Sequence, residues 1–200
     1  MDSGADVDEL TGPFNRNLYL HGGHSDIVAL MVLEHQTQMH NVITRAHYEV
    51  KMALNRNAMF NEGGELGESA ERALDRAAEA LLRYMLFIDE EVLPGSIEGS
   101  TAFAEQFEAR GIRDSEGRSL RDFNLCRRLF EDPCSYLIHL EAFDALPEPL
   151  LDRVYRRLWE ILTGRDESET FASFGRSHRE LVLQILRETK QGLPDYFHAD

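Results

Sequence analysis

The chain is poor in the residues that announce specialised chemistry. It holds two cysteines, Cys126 and Cys134. Two thiols fit neither a disulfide framework nor a zinc site, although they stand close enough in sequence to bridge in an oxidising compartment. No C-x-x-C and no C-x-x-C-H occurs, which excludes covalent c-type haem within this chain. Basic residues are outnumbered, 21 Lys and Arg against 36 Asp and Glu, for a net charge of −15. With no basic excess to neutralise phosphates, a nucleic-acid partner is argued against, and so is an anionic membrane surface. The acidity reads as solubility. No apolar run reaches eighteen residues, so no transmembrane segment is expected. The N-terminus, MDSGADVDELTG, lacks the basic start and apolar stretch of a secretory signal. A phosphate-binding loop is missing as well, because GGELGES lacks the G-K-[ST] ending and follows no strand. There is no repeat, no low-complexity tract and no alternating strand pattern.

What the chain has is helical periodicity. Ser25 to Asn57 contains no Gly and no Pro, enough for about nine turns, roughly 50 Å. At 100° per residue Val28, Val32, Met39, Val42, Ile43, Ala46, Val50, Ala53 and Leu54 share one arc, the expected core face. Glu34, Gln38, Asn41, Arg45, Tyr48 and Glu49 lie opposite, with Glu34–Gln38 and Asn41–Arg45 spaced to bond along the surface. Before the helix, residues 1–20 read as a flexible tail, with an apolar patch at Phe14, Leu18 and Tyr19. HGGHSD then makes a turn in which Ser25 or Asp26 can cap the helix.

After a turn at NEGGELGES, a second helix is expected from about Gly67 to Val92, striped by Ala70, Leu74, Ala77, Leu81, Met85, Ile88 and Val92 and stopped by Pro94-Gly95. Two long amphipathic helices and a short loop favour an antiparallel hairpin. A short helix follows from Ser100 or Thr101 to Gly111. Ser119 with Asp122 in capping-box style starts another that ends at Asp132-Pro133. The next runs from Cys134 to Phe143. Pro147 to Gly164 is a clear helix, with Pro149 in its first turn and Gly164 at C′. The last spans Ser177 to Lys190, with a capping box from Ser177 to Glu180. The expected fold is all-α: a single domain over residues 21–197, with six to eight helices built on the long antiparallel hairpin.

Four of the eight histidines lie in or just before the long helix: His24, His35, His40 and His47. Only His35 falls on the apolar arc, where burial disfavours its charged form and its ring nitrogens need partners. If the hairpin pairs residues whose numbers sum to about 123, His35 faces Asp89, Glu90 and Glu91. Three acids at a helix C-terminus oppose the helix dipole and so lack a local stability reason to be there. His35 reads as a core histidine bonded to a carbonyl or carboxylate, and the acids as a solvated helix end; in the alternative, His35, Glu34, Glu90 and Glu91 are candidate metal ligands, with haem or iron the candidate cofactor. The di-metal Glu-x-x-His pattern is missing, and Glu34 and His35 project 100° apart. His40 and His47 sit beside the core arc as helix-interface residues. Cys134, after Pro133 at an expected helix N-terminus, is where a thiolate is favoured, yet no catalytic constellation surrounds it.

Two blocks carry a resemblance. One is SDIVALMVLEHQTQMHNVITRAHYE. The other is GRSLRDFNLCRRLFEDPCSYLIHLEAFDALPEPLLDRVYRRLWEILTG, followed by ILRETKQGLPDYF. Together they cover most of residues 20–197 and resemble the C-terminal region of large secreted bacterial proteins associated with c-type cytochromes. The resemblance implies a redox-associated helical module serving structure or docking in electron transfer, with an upstream cytochrome domain or another protein as partner. It implies that the chain is a C-terminal piece whose haem-binding part lies upstream, and a periplasmic or secreted location; a complete chain would instead be cytoplasmic. No catalytic residue carries over from the family.

Overall fold

The computed structural model describes residues 27–60, 65–97 and 101–199. The expected tail over residues 1–20, the caps Ser25 and Asp26, His21 and His24, and Ser100 lie outside them. Six α-helices form among the described residues: α1 (Ile27–Phe60), α2 (Glu68–Met85), α3 (Thr101–Glu108), α4 (Glu141–Asp144), α5 (Glu148–Leu162) and α6 (Arg176–Thr189). Among the described residues no strand forms, and Phe123 and Phe130 make an isolated antiparallel bridge. Nor is any described helix long and apolar enough to cross a membrane.

α2 lies at the centre, packed against α1 on one side and α5 on the other, with α6 on α5. Its composition suits a helix with two neighbours. Ala70, Leu74, Ala77, Ala78, Leu81, Leu82 and Met85 are all buried, and the alanines let both partners come close. α1 buries Val28, Val32, His35, Met39, Ile43, Ala46 and Val50, the expected arc. The N-terminus of α2 has no cap of its own, because Gly67 carries no side chain. Asn57 of α1 supplies one by accepting the Gly67 N–H at 2.7 Å and donating to the Glu65 carbonyl at 2.9 Å. Toward α5, Arg153 pairs with Glu71 and Asp75, and Arg157 lies 3.5 Å from Glu79. The buried apolar side chains, from Val28 to Phe197, form one connected core.

The largest departure from expectation is the end of α2. It stops at Met85 rather than Val92, and Val92 is 73% exposed. Phe87 adopts the left-handed conformation at φ 54°. Its N–H bonds the Tyr84 carbonyl at 3.2 Å and the Ile88 N–H bonds that of Arg83 at 3.1 Å, the Schellman pattern with Phe where Gly is usual. A non-glycine residue there costs about 1–3 kcal/mol, so packing has to hold it.

Residues 119–132 are not the expected helix either. Asp122 does reach back to the Ser119 N–H at 2.9 Å, but Arg113 grips the same carboxylate with two bonds. Leu125 turns left-handed at φ 53°, and the chain folds back so that the Glu131 N–H bonds the Asp122 carbonyl at 2.8 Å. The expected helix 134–143 divides into a 3₁₀ turn, Tyr136–His139, and α4. In α6 the residue before the helix is Gly175 and the Ser177–Glu180 box does not form; Glu180 pairs with Arg176 instead. α5 and its Gly164 terminator, at φ +74°, match expectation.

Gly111, just past α3, is a point of forced contact. A Cβ there would stand 2.1 Å from Ser119 Oγ and 2.9 Å from Ser119 Cβ, and Ser119 is buried and accepts the Arg121 N–H. Gly111→Ala is expected to lower stability by about 1–3 kcal/mol in urea unfolding. Gly111→Ala with Ser119→Gly should recover most of that clash; a double variant no better than the single would show the strain lies elsewhere.

Candidate functional site

His35 is brought to its place by the spacing of α1, which sets it between Val32 and Met39 on the buried face. It is 4% exposed. Its ring stacks on Tyr84 (5.6 Å between centroids, 12° between planes) and on Phe87 (4.8 Å, 25°), with the Phe130 ring edge-on at 5.5 Å. The strained turn at Phe87 thus places an aromatic face on the imidazole. Stacked pairs of this kind are worth about 0.5–1.5 kcal/mol beyond their area, comparable with the strain. Beyond Phe130 the aromatic packing continues through Phe123, Phe107 and Tyr136.

His35 Nε2 is hydrogen-bonded to Ser135 Oγ at 2.8 Å. Ser135 is fully buried, accepts the Leu137 N–H on the same oxygen at 3.3 Å, and donates its own N–H to the Met85 carbonyl at 2.8 Å. Nearby, Gln36 donates to the Tyr136 hydroxyl at 2.6 Å. Burial lowers the His35 pKa to about 4, so the ring is neutral near pH 7. A serine and a histidine at this distance have the spacing of a nucleophile and its base. With Ser135 wholly enclosed, substrate has no access, and the bond acts as a clasp between α1 and the 3₁₀ turn.

One wall of a pocket of about 550 Å³ is made by Met31, Glu34 and His35, the other by Tyr84, Phe87 and residues 89–91. All four candidate metal ligands, His35, Glu34, Glu90 and Glu91, line it. They do not form a ligand set: among the described residues no three His, Cys, Asp or Glu side chains come together as a metal site requires, and one His35 nitrogen is held by Ser135. The acids are also not at a helix end. Because α2 stops at Met85, residues 89–91 belong to the following loop. Asp89 has a local partner in Arg83, whose Nη2 donates to both carboxylate oxygens at 2.7 and 2.8 Å. Glu90 accepts the Leu129 N–H at 3.4 Å and lies 3.9 Å from Arg128; burial raises its pKa against both. Tyr84 is pushed up to about 12, by burial first and then by the Glu34 charge.

His40, His47, His139 and the two cysteines sit apart from this pocket. His40 is exposed and bonds the Gln36 carbonyl at 2.8 Å, so no described helix packs over it as expected; His47 is half-buried edge-on to Tyr48. His139 is half-buried with its pKa lowered to about 4, by burial first and then by Lys190. Cys134 is fully buried and no helix starts on it; burial pushes its thiol up, the reverse of an activated thiolate. Both cysteines are free, and Cys126 is exposed.

Sequence reasoning missed Ser135, Phe87 and Tyr84 as the surroundings of His35. Ser135 is a hundred residues from His35, and no local signal pairs them. Comparison of the chain with family models, curated proteins and solved structures finds no match.

The His35 shift has a thermodynamic consequence. Its folded pKa is about 4 against an ordinary 6.5, so between those values the unfolded chain binds the extra proton. The His35 contribution is complete above pH 6.5 and is lost as pH falls toward 4, by about 3 kcal/mol. His139 acts in the same direction, whereas Asp132, raised to about 6 by burial, acts oppositely. His35→Gln, which can keep a bond to Ser135, is expected to reduce the stability difference between pH 7 and pH 4.5 by about 2–3 kcal/mol, read by urea unfolding at both. An unchanged difference would place the acid sensitivity elsewhere.

Proposed function

We propose that the chain is a non-enzymatic docking module of a redox-associated bacterial protein, working in an exported setting. The observation that carries the docking role is the outward side of α1. Of the ten large apolar side chains that stand exposed among the described residues, seven belong to this helix: Ile27, Leu30, Leu33, Tyr48, Met52, Met59 and Phe60. Leu30, Leu33, Tyr48 and Met59 fall opposite its buried arc. Exposed apolar residues concentrated on one element mark an interaction surface. The charge pattern agrees: α1 carries Arg45, Lys51 and Arg56 against Glu34 and Glu49, near neutrality in a chain of net charge −15. We take residues 21–197 as one domain, supported by the single core, with α1 and α2 as an antiparallel hairpin, supported by the Asn57–Gly67 bond and the His35–Tyr84 stack. The redox setting and the cytochrome domain as partner rest on the sequence resemblance alone.

The test is complex formation between the intact chain and the haem-bearing polypeptide encoded upstream, in frame or adjacent. Haem absorbance should co-elute with the chain, and Leu30→Glu/Tyr48→Glu should weaken the complex at least tenfold. A complex indifferent to both substitutions, or a catalytic activity of the chain alone, overturns the proposal.

A second reading is a metal- or haem-binding bundle centred on His35. In its favour, the pocket gathers His35, Glu34, Glu90 and Glu91 on its walls; against it stands the Ser135 bond. Elemental analysis and an absorption spectrum of gently purified protein decide it. Metal or haem that His35→Ala loses would support it, and metal-free, colourless protein would remove it.

A further inference from the structure

The His35 pocket is one end of a longer groove. A second pocket, of about 770 Å³, lies between the C-terminal half of α1 and the first turns of α2, and Val42 and Ala80 line both. The two hollows therefore run on from each other along one flank of the α1–α2 pair. The floor is apolar and shallow because α2 contributes Ala73, Ala77 and Ala80 to it.

The net charge along this groove changes sign from one end to the other. At the end near the start of α1 stand Glu34, Glu90 and Glu91, with Arg83 taken by Asp89. At the other end Arg45, Arg56 and Arg76 outnumber Glu49 and Glu68, the latter paired with Arg72. Arg45 is paired with Glu49 at 2.8 Å, whereas Glu34 and Arg56 have no ion-pair partner among the described residues. Glu34 and Arg56 are both exposed and lie on the same side of α1, about 40° apart around its axis and roughly 33 Å along it.

A surface that is acidic at one end and basic at the other is complementary to itself turned through 180°. A two-fold axis crossing α1 near Arg45, midway between Glu34 and Arg56, sets each Glu34 against the Arg56 of the other copy. The same rotation lays apolar floor on apolar floor. We propose that the α1–α2 groove binds a second copy of this chain, forming an antiparallel four-helix interface closed by two symmetric Glu34–Arg56 pairs. A C2 contact of this kind is isologous and stops at the dimer, and small residues at the crossing suit bundle packing.

The available area fits. α1 offers a strip of about 50 Å by 10 Å and α2 one of about 27 Å by 10 Å, together on the order of the 800 Å² that each partner gives a stable complex. The chain's net charge of −15 opposes self-association, but at physiological salt charges are screened beyond about 8 Å, while the groove pairs act at contact. An acidic amphipathic helix from another protein would suit the basic end and be repelled by the acidic one; a second copy satisfies both. This flank adjoins the outward line of Leu30 and Tyr48, about 40° round α1 from Glu34, and Met52 and Phe60 belong to both; dimerisation is read on the chain alone and partner docking only with the haem-bearing polypeptide, so the two failures are told apart.

Sedimentation velocity and light scattering of the intact chain at about 50 μM are expected to give twice the 22.9 kDa chain mass. Glu34→Arg alone and Arg56→Glu alone should each weaken the dimer at least tenfold, by setting like charges opposite each other. Glu34→Arg/Arg56→Glu, which restores opposite signs in reversed order, should recover the wild-type constant to within about threefold. Both positions are exposed, and unchanged circular dichroism and melting confirm folding of the variants. A wild-type chain that stays at 22.9 kDa, single variants that dimerise as wild type, or a double variant that does not recover would each overturn the proposal.

Discussion

Three separate segments of this protein meet at one buried serine. Ser135 takes the imidazole of His35 from α1, gives its N–H to the last carbonyl of α2, and caps the turn that follows it. Each of these groups would need water if the others moved. An unsatisfied polar group in the interior costs about 1–3 kcal/mol, so the three bonds hold α1, the end of α2 and the 3₁₀ turn together more firmly than apolar contact alone. The neutral state of His35 follows from this enclosure. So does the left-handed turn at Phe87, whose strain is offset by the ring it lays on the imidazole.

The same arrangement divides the charges of the molecule. α2 turns Glu71, Asp75 and Glu79 toward Arg153 and Arg157 of α5, so its acids are used within the fold. Its other flank, toward the groove with α1, is mostly alanine, with Arg76 and Arg83 along it and Glu68 and Tyr84 near its ends. α1 is apolar over much more of its circumference than one packed face requires. Burial accounts for Val28 through Val50 on the inner side, and leaves Leu30, Leu33, Tyr48 and Met59 exposed. A helix that is apolar beyond its own core suggests a role in assembly.

Legibility followed the range of the forces. α1, α5 and α6 were readable because a 3.6-residue apolar period over three or more turns is a local pattern with few competing solutions. That His35 is buried was readable for the same reason. The end of α2 was not, because Ile88 and Val92 continue the period while the backbone obeys Phe87 and the Arg83–Asp89 pair. Residues 119–132 were misread because Asp122 makes the bond of a capping box without the helix: Arg113 and the returning chain at Glu131 outbid the next turn. At Cys134 a helix-start signal implied a lowered pKa, and desolvation reversed it.

By itself the sequence determined the helical class, the buried side of α1 and the position of His35 on it, since each depends on spacing within one element. The tertiary structure alone decided what His35 touches and what Glu34, Glu90 and Glu91 amount to. Their partners, Ser135, Phe87, Leu129 and Arg128, come from elsewhere in the chain, and hydrogen bonding and desolvation are set by such neighbours. Periodicity fixes which way a side chain points, and packing fixes what it meets. At His35 packing supplied a serine hydroxyl as the partner that the buried ring required, and beside it gave Asp89 to Arg83 and Glu90 to the Leu129 N–H.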